Sequence, residues 1–591
     1  MIFKNSKEEL PMPTQDDRPY LSDVIDYDRD IEPYRFIKIY SGVGSGKNTF
    51  VDNLITGRTF RHADGTPVGK KYVLLITSRR AKVNEQLFSD TVIYDPQIGM
   101  FDSPYADWFA DLDPRYEDYY ESPTVKLPDF NGMGRSRVYK RTCINTNAKI
   151  EYNLRTHYTP LDADSHPWER FDMIIVDEVH ALVADASYQS APFYVRRLIE
   201  ETLTRSSKCK VIVMTGSPQI LDNQPLFDDA YCLDLMDTCK NIRPQNIRFI
   251  NQKQAKETQL RMLRDNCPFV AFYNHIQDMY SLIGEADSSL QGSIAVSFSD
   301  AKKRQLLEEN NEVLYRQMTH AEEHLAKHQQ LPKDIKAFLT TAKNKEGINI
   351  KNKDFHVMFV EAHNEVDIIQ MVGRLRNPIE TLYIVVNSIP HHDMESRYEK
   401  MMTKHETFIP TINAYYQALC RDIGIDLNDP EDIFRKPAHE IENLGDFIEY
   451  IHGKFPYIRY DYFTDEFVFY AEREKSKAYY AKQHSTYSNA SKTAAGLQAL
   501  AAQWFPDIPS YVDVNLEGDI QHAVDEYLVN NRWINGQREI RQNERRIILD
   551  NLNGITGEDS RQLATILRHY GYRLNSNSHR SDVCCTITKD T

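Results

Sequence analysis

Cysteine is scarce in this chain: eight residues in 591, none in a CxxC pair, with Cys584 and Cys585 adjacent. A disulfide framework and a zinc ribbon are both excluded, and a reducing, cytoplasmic setting is expected. Long apolar runs are missing too. VLLIT and MIIV fall far short of the roughly 20 residues that cross a bilayer. The opening MIFKNSKEELPMPTQDDRPY has no apolar segment of the secretory kind. Excess positive charge is absent as well. The net charge is −15, so any nucleic-acid contact must be a local groove, not a basic coat. Hydrophobic residues make up 41% and are spread along the chain, which excludes disorder as its main state. The length suggests about three or four domains. No short-period repeat is visible, so a solenoid is not expected.

What is present is a series of short Val/Ile-rich runs separated by helical stretches. RFIKIY (35–40), KYVLLIT (71–77), FDMIIVDEVH (171–180) and KVIVMTGSP (210–218) form one set. CPFVAFYN (267–274), SIAVSF (293–298), AFLTTA (337–342), FHVMFVEA (355–362) and TLYIVVN (381–387) form another. This alternation predicts βα units and parallel sheets. The expected organisation is a lead-in over 1–34 and one α/β unit over 35–235. A second α/β unit follows over 236–400, then an accessory region over 401–591. That last region shows helical periodicity, as in TINAYYQALCRDI and YIRYDYFTDEFVFYAEREKSKAYYAK, and is expected to be mainly α-helical. Residues 532–549, with five arginines and two glutamates, suggest a solvated helix. The end of the chain suggests a helix followed by a hairpin, faintly like a winged-helix unit. Residues 99–122 hold seven acidic and seven aromatic residues against one arginine. They suggest a packed insertion with solvated acids, or a surface for a protein partner or one that mimics nucleic acid.

Two patterns carry chemistry. Ser41-Gly42-Val43-Gly44-Ser45-Gly46-Lys47-Asn48-Thr49 follows a strand and opens a helix. Glycines let backbone N–H groups converge on phosphate oxygens, the helix N-terminus favours negative charge, and Lys47 would reach the β- and γ-phosphates. Ser41 stands where the general pattern has glycine, and Asn48 where Ser or Thr holds Mg²⁺. Asn48 could supply its amide oxygen, or Thr49 could substitute. The second pattern is Asp177-Glu178-Val179-His180 at the end of an apolar strand, where open parallel sheets bind ligands. Asp177 is placed to hold Mg²⁺ through water, with Glu178 beside it, and Glu178 to act as general base. Alone this box would as readily be a capped strand end; the phosphate loop upstream shifts the balance.

In that order the chain resembles the DExH-type superfamily 2 helicases (DEAD/DEAH-like). SGVGSGKNT resembles motif I, LLITSRRAKVNEQ motif Ia, and CINTNAKI (143–150) weakly Ib or Ic. DEVH resembles motif II, Thr215-Gly216-Ser217-Pro218 motif III, and FVAFYNH motif IV. TTAKNKEGINI resembles motif V and Gln370-Met371-Val372-Gly373-Arg374-Leu375-Arg376 motif VI. The resemblance covers about 35–380. It implies two tandem RecA-like domains around one ATP–Mg²⁺ cleft. The first supplies Gly42, Gly44, Ser45, Gly46, Lys47, Asn48, Thr49, Asp177 and Glu178, and the second Gly347, Asn349, Gln370, Arg374 and Arg376. It also implies a single strand held at Thr77, Arg79, Arg80 and Thr341; DNA is slightly favoured over RNA, with no decisive residue behind that choice. His180, Thr215 and Ser217 would couple nucleotide state to motion. The implied activity is ATP-dependent translocation or unwinding by a cytoplasmic or nucleoid-associated enzyme. The alternative is an ATP-switched binding module that does not unwind.

Overall fold

The computed structural model describes residues 18–77, 166–341, 349–386, 407–422 and 442–513 apart from a few short gaps. It also describes Ile150, Glu151, Leu154, Arg155 and five further strand segments. The insertion at 99–122 lies outside the described residues, as do Arg79, Arg80 and Gly347.

The first sheet contains β1 (Phe36–Tyr40), β2 (Val73–Thr77), β3 (Val92–Asp95), β4 (Lys140–Thr146), β5 (Met173–Asp177), β6 (Lys210–Thr215) and β7 (Tyr231–Asp234), ordered β3-β4-β2-β5-β6-β1-β7. Every pairing in it is parallel. Its central strands read as continuous apolar runs because both faces are covered. Ile37, Ile39, Met173, Ile175, Ile212 and Met214 pack on one side with Phe50, Leu54, Leu21 and Tyr27. Phe36, Ile174, Val176, Val211 and Val213 pack on the other with Phe193, Leu198 and Trp168. Leu21, Ile25, Tyr27 and Ile31 thereby belong to this core, although the sequence presents them as a lead-in.

The second sheet contains β8 (Pro244–Ile250), β9 (Phe269–Phe272), β10 (Ile294–Ser297), β11 (Ala337–Thr340), β12 (Val357–Val360) and β13 (Ile379–Val385), and is again wholly parallel. Together the sheets give the expected tandem RecA-like α/β architecture.

After residue 400 the described residues hold the helices Ile409–Asp422, Glu442–Lys454, Ala471–Ala490 and Ala494–Trp504, with strands the sequence did not announce among them. YIRYDYFTDEFVF forms an antiparallel hairpin of β14 (Ile458–Asp461) and β15 (Glu466–Phe469), turned through Asp465 at φ +58°. A further strand, β16 (Ser510–Val512), joins β8 in parallel at the edge of the second sheet. The Arg-rich stretch read as a helix contains β17 (Gln537–Arg541). That strand pairs with β19 (Val583–Lys589), which also pairs with β18 (Tyr572–Ser576), giving the order β17-β19-β18. The expected terminal hairpin is therefore present; the helical part of a winged-helix reading lies outside the described residues.

The helix Ala471–Ala490 spans both RecA-like domains. At its start, Phe463 and Tyr470 lie in the first domain's core, and Tyr470 Oη donates to the Gln189 carbonyl at 3.1 Å. Arg197 pairs with Asp461 at 2.8 Å, and Arg196 pairs with Glu472. At its end, Tyr487 packs in the second domain's core with Leu497, Leu500 and Trp504. Twenty residues make a strut of about 30 Å. No helix among the described residues is long and apolar enough to cross a membrane.

Candidate nucleotide cleft

The phosphate loop leaves the carboxyl end of β1 and enters the helix Lys47–Thr56. Gly44 and Gly46 have φ near +90°, a region that L side chains rarely adopt. Ser45 Oγ donates to Ser41 Oγ at 3.0 Å, so Ser41 braces the loop from within. Lys47 is buried, and its Nζ lies 3.9 Å from Glu178 Oε1 and 3.4 Å from the Ser41 carbonyl. Asn48 is half-buried, whereas Thr49 is exposed.

Glu178 follows β5 directly and has φ +55°, a strained conformation for a residue with a Cβ that costs on the order of 1–3 kcal/mol. Burial would raise its pKa. The Lys47 ammonium, His180 and Arg374 outweigh that and hold it well below the usual carboxylate range. It is therefore ionised at neutral pH. Asp177 is buried beside it.

From Glu178 a chain of contacts crosses to the second domain. Glu178 Oε2 lies 3.4 Å from His180 Nδ1, which lies 2.9 Å from Thr215 Oγ1. Thr215 Oγ1 accepts from the Ser217 N–H at 2.9 Å, and Ser217 Oγ accepts from Gln370 Nε2 at 3.2 Å. Gln370 in turn accepts from Arg374, through its carbonyl from Nε at 3.0 Å and through Oε1 from Nη2 at 3.1 Å. Arg374 is buried and acts electrostatically on Glu178. Arg376 Nε donates to Asn349 Oδ1 at 2.5 Å, and its Nη1 lies against the space a Cβ on Gly44 would occupy. The structure thus gathers Lys47, Asp177, Glu178, His180, Thr215, Ser217, Asn349, Gln370, Arg374 and Arg376 around one cleft. Thr77 ends β2 and Thr341 follows β11; they stand at strand ends instead of in this chain of bonds.

Several contacts around the loop had no signal in the sequence. Gly373 has no room for a Cβ because Val43 at the loop's tip packs against it. The segment joining the domains lies along the same loop: Ile242 N–H donates to the Val43 carbonyl at 3.0 Å, and Asn241 covers Gly42. From the other side, Leu21 N–H donates to the Ser45 carbonyl at 2.9 Å. Tyr20 packs beside Gly46 with the Lys240 ammonium 4.2 Å from its ring centre.

Among the described residues no group of three or more His, Cys, Asp or Glu side chains is arranged to hold a metal. Mg²⁺ at a nucleotide site asks for a smaller protein donor set, one or two carboxylates acting with waters and substrate phosphates. Asp177 and Asn48 fit that demand, with Glu178 beside them. Asn48→Ala should raise the Mg²⁺ requirement of any ATPase activity by on the order of tenfold. Asn48→Thr should keep or raise that activity, and Thr49→Ala should be silent. A damaging Thr49→Ala with a silent Asn48→Ala would show that the register assigned to this loop is wrong.

A second buried carboxyl lies behind motif IV. Glu361 follows β12 and accepts from the Asn274 N–H at 3.0 Å. Burial pushes its pKa up to about 8, with Asp278 adding to the rise. Between the unfolded value near 4.3 and about 8, the folded state holds the extra proton. Stability should therefore fall as pH rises through that window, by up to about 1.4 kcal/mol per unit. Glu361→Gln should flatten the slope in chemical denaturation at pH 5 to 9. An unchanged slope would remove Glu361 as its source.

No family model matches this sequence, and no curated protein matches it. Similar solved structures include the Mycobacterium smegmatis helicase Lhr bound to single-stranded DNA and AMP-PNP, at 12% identity and TM-score 0.38, covering 75% of this chain and 58% of that one. Saccharomyces cerevisiae Dbp5 bound to RNA and ADP–BeF3 shares 13% identity over 60% of this chain and 80% of that one, at TM-score 0.34. The Escherichia coli DExH-box NTPase HrpB shares 12% over 60% and 39%, at TM-score 0.34. This chain thus spans little more than half of the mycobacterial helicase.

Proposed function

We propose that this chain is an ATP-dependent nucleic-acid translocase or helicase. The observation that carries the reading is the unbroken run from Lys47 and Glu178 through His180, Thr215 and Ser217 to Gln370 and Arg374. A phosphate loop and an acidic box alone suit any nucleotide hydrolase. Their connection to a buried arginine of a second domain suits one whose nucleotide state sets the angle between domains.

In this reading Lys47 neutralises the β- and γ-phosphates, and Asp177 with Asn48 holds Mg²⁺. Bound Mg²⁺ would offset charge on the transferred phosphoryl group. Lys47 cannot serve the phosphates and Glu178 equally. As it turns to substrate, Glu178 loses the main partner that depresses its pKa and becomes a better acceptor for the proton of the attacking water. Arg374 and Arg376 stabilise charge in the transition state. His180, Thr215, Ser217 and Gln370 transmit the change across the cleft. Thr77, Arg79, Arg80 and Thr341 are assigned to the phosphates of a single strand, DNA before RNA. A cytoplasmic or nucleoid-associated location goes with this reading.

The test is ATPase activity measured in parallel with single-stranded DNA, duplex DNA and RNA, beside a strand-displacement assay. Stimulation by one single strand, with displacement, is the expected result. Stimulated turnover without displacement would replace the helicase reading with that of an ATP-switched binding module. Absence of nucleotide turnover with every nucleic acid would overturn both.

A further inference from the structure

The helix Glu312–His328 lies between β10 and β11 in the second domain, far in sequence from the motifs of the cleft. Leu314, Met318, Ala321 and Leu325 form its buried side. A different stripe carries His320, His324 and His328, each one turn beyond the last. His324 is half-buried; the other two are exposed.

Two observations separate His324 and His328 from an ordinary row of surface side chains. First, His324 Nδ1 lies 2.6 Å from the Gln330 carbonyl oxygen. A carbonyl only accepts, so the proton is on Nδ1 and Nε2 of the neutral ring keeps its lone pair. Metal-binding histidines are commonly held in this way, by a backbone carbonyl at the nitrogen that does not bind. Second, the ring centres of His324 and His328 are 4.6 Å apart with planes at 51°. A bound transition metal sits about 2.0–2.1 Å from each imidazole nitrogen, and each ring centre is roughly another 1.1 Å beyond. Two imidazoles set about 90–110° apart around one ion therefore have centres about 4.4–5.2 Å apart. The His324–His328 pair falls inside that window. The His320–His324 pair, at 6.1 Å, does not.

We propose that His324 and His328 form a two-imidazole chelate for a borderline divalent transition cation such as Zn²⁺, Cu²⁺ or Ni²⁺. Imidazole suits these ions, whereas Mg²⁺ and Ca²⁺ favour oxygen. No third His, Cys, Asp or Glu joins the pair among the described residues, so the site keeps open positions for water or an outside donor. The ion would clamp the last turn of the helix. From there Gln329 accepts from the Lys351 N–H at 2.8 Å, and Leu331 N–H donates to Asn352 Oδ1 at 2.6 Å. The clamp would thus hold the end of the helix against the segment to which the Arg376 N–H is bonded, through Ile350 at 2.9 Å.

The test uses the untagged full chain, stripped with chelator and desalted. It is titrated with Zn²⁺ by calorimetry, and its thermal unfolding is followed with and without the metal. Because the chain has 19 histidines and eight cysteines, the readout is the difference between wild type and variants. One equivalent should disappear, or weaken about tenfold or more, in both His324→Ala and His328→Ala. His320→Ala should leave that equivalent nearly unchanged. Zn²⁺ should raise the unfolding temperature of wild type more than that of either variant. Equal Zn²⁺ binding by wild type, His324→Ala and His328→Ala would overturn the proposal. So would a His320→Ala loss as large as that of His328→Ala, which would refute the pair assignment.

Discussion

Glu178→Gln should bind ATP and leave it almost unhydrolysed. The substitution keeps the size of the side chain at the strained position after β5 but removes the charge that holds Lys47 Nζ at 3.9 Å. Lys47 is then freer for phosphate, so nucleotide affinity should hold or rise. The proton acceptor for water is gone, and a positioned general base contributes on the order of 10²–10⁴-fold. Single-turnover hydrolysis beside equilibrium binding of a fluorescent ATP analogue separates the two effects. A complex closed on nucleic acid should accumulate, because the step that reopens the cleft follows hydrolysis. Wild-type turnover in Glu178→Gln would remove the general-base assignment. Failure to bind nucleotide would show that the carboxylate serves the loop's structure instead of its chemistry.

The cleft was legible where its information is local. A buried parallel strand needs an unbroken apolar run, and a phosphate loop needs glycines at positive φ before a helix. Both stand in consecutive residues around Ile39, Gly44, Gly46 and Lys47, and around Ile175 and Asp177. His180, Thr215, Ser217 and Gln370 are marked only by the resemblance, and the bonds that join them are not legible, since spacing alone does not show which strand ends meet. Contacts between remote segments were not legible. β16 pairs with β8 across more than 250 residues, and nothing in Ser510–Val512 announces it. Asn241, Ile242 and Tyr20 reach the phosphate loop only because the joining segment and the N-terminal residues fold back on it. The hairpin at 458–469 was missed for a different reason. All four residues of β14 are buried, so the alternation that marks a half-exposed strand is lost. In β17, Arg538, Glu539 and Arg541 have the composition of a solvated helix, and tertiary pairing with β19 overrides it.

Arg374→Ala should leave ATP binding by the first domain largely intact and collapse hydrolysis. Arg374 is on the second domain, yet it is buried, donates twice to Gln370, and lowers the pKa of Glu178. That arrangement requires the two domains to face each other across the cleft. Arginine suits the task because it remains charged and its planar fork can meet two phosphate oxygens. Losing such a group costs on the order of 10³-fold or more in turnover, and nucleic acid should no longer stimulate what remains. Arg374→Lys keeps the charge without the fork, so it should recover binding geometry between the domains more fully than catalysis. A merely structural arginine predicts the reverse pattern: Arg374→Ala would lower stability, shift ATP affinity along with turnover, and be rescued by lysine in all three. Arg376 supplies the internal comparison. It is bonded to Asn349 and lies over Gly44, so Arg376→Ala should weaken nucleotide affinity as well as turnover. Normal nucleic-acid-stimulated turnover in Arg374→Ala would reduce the arginine to a buried hydrogen-bond donor and sink the two-domain mechanism.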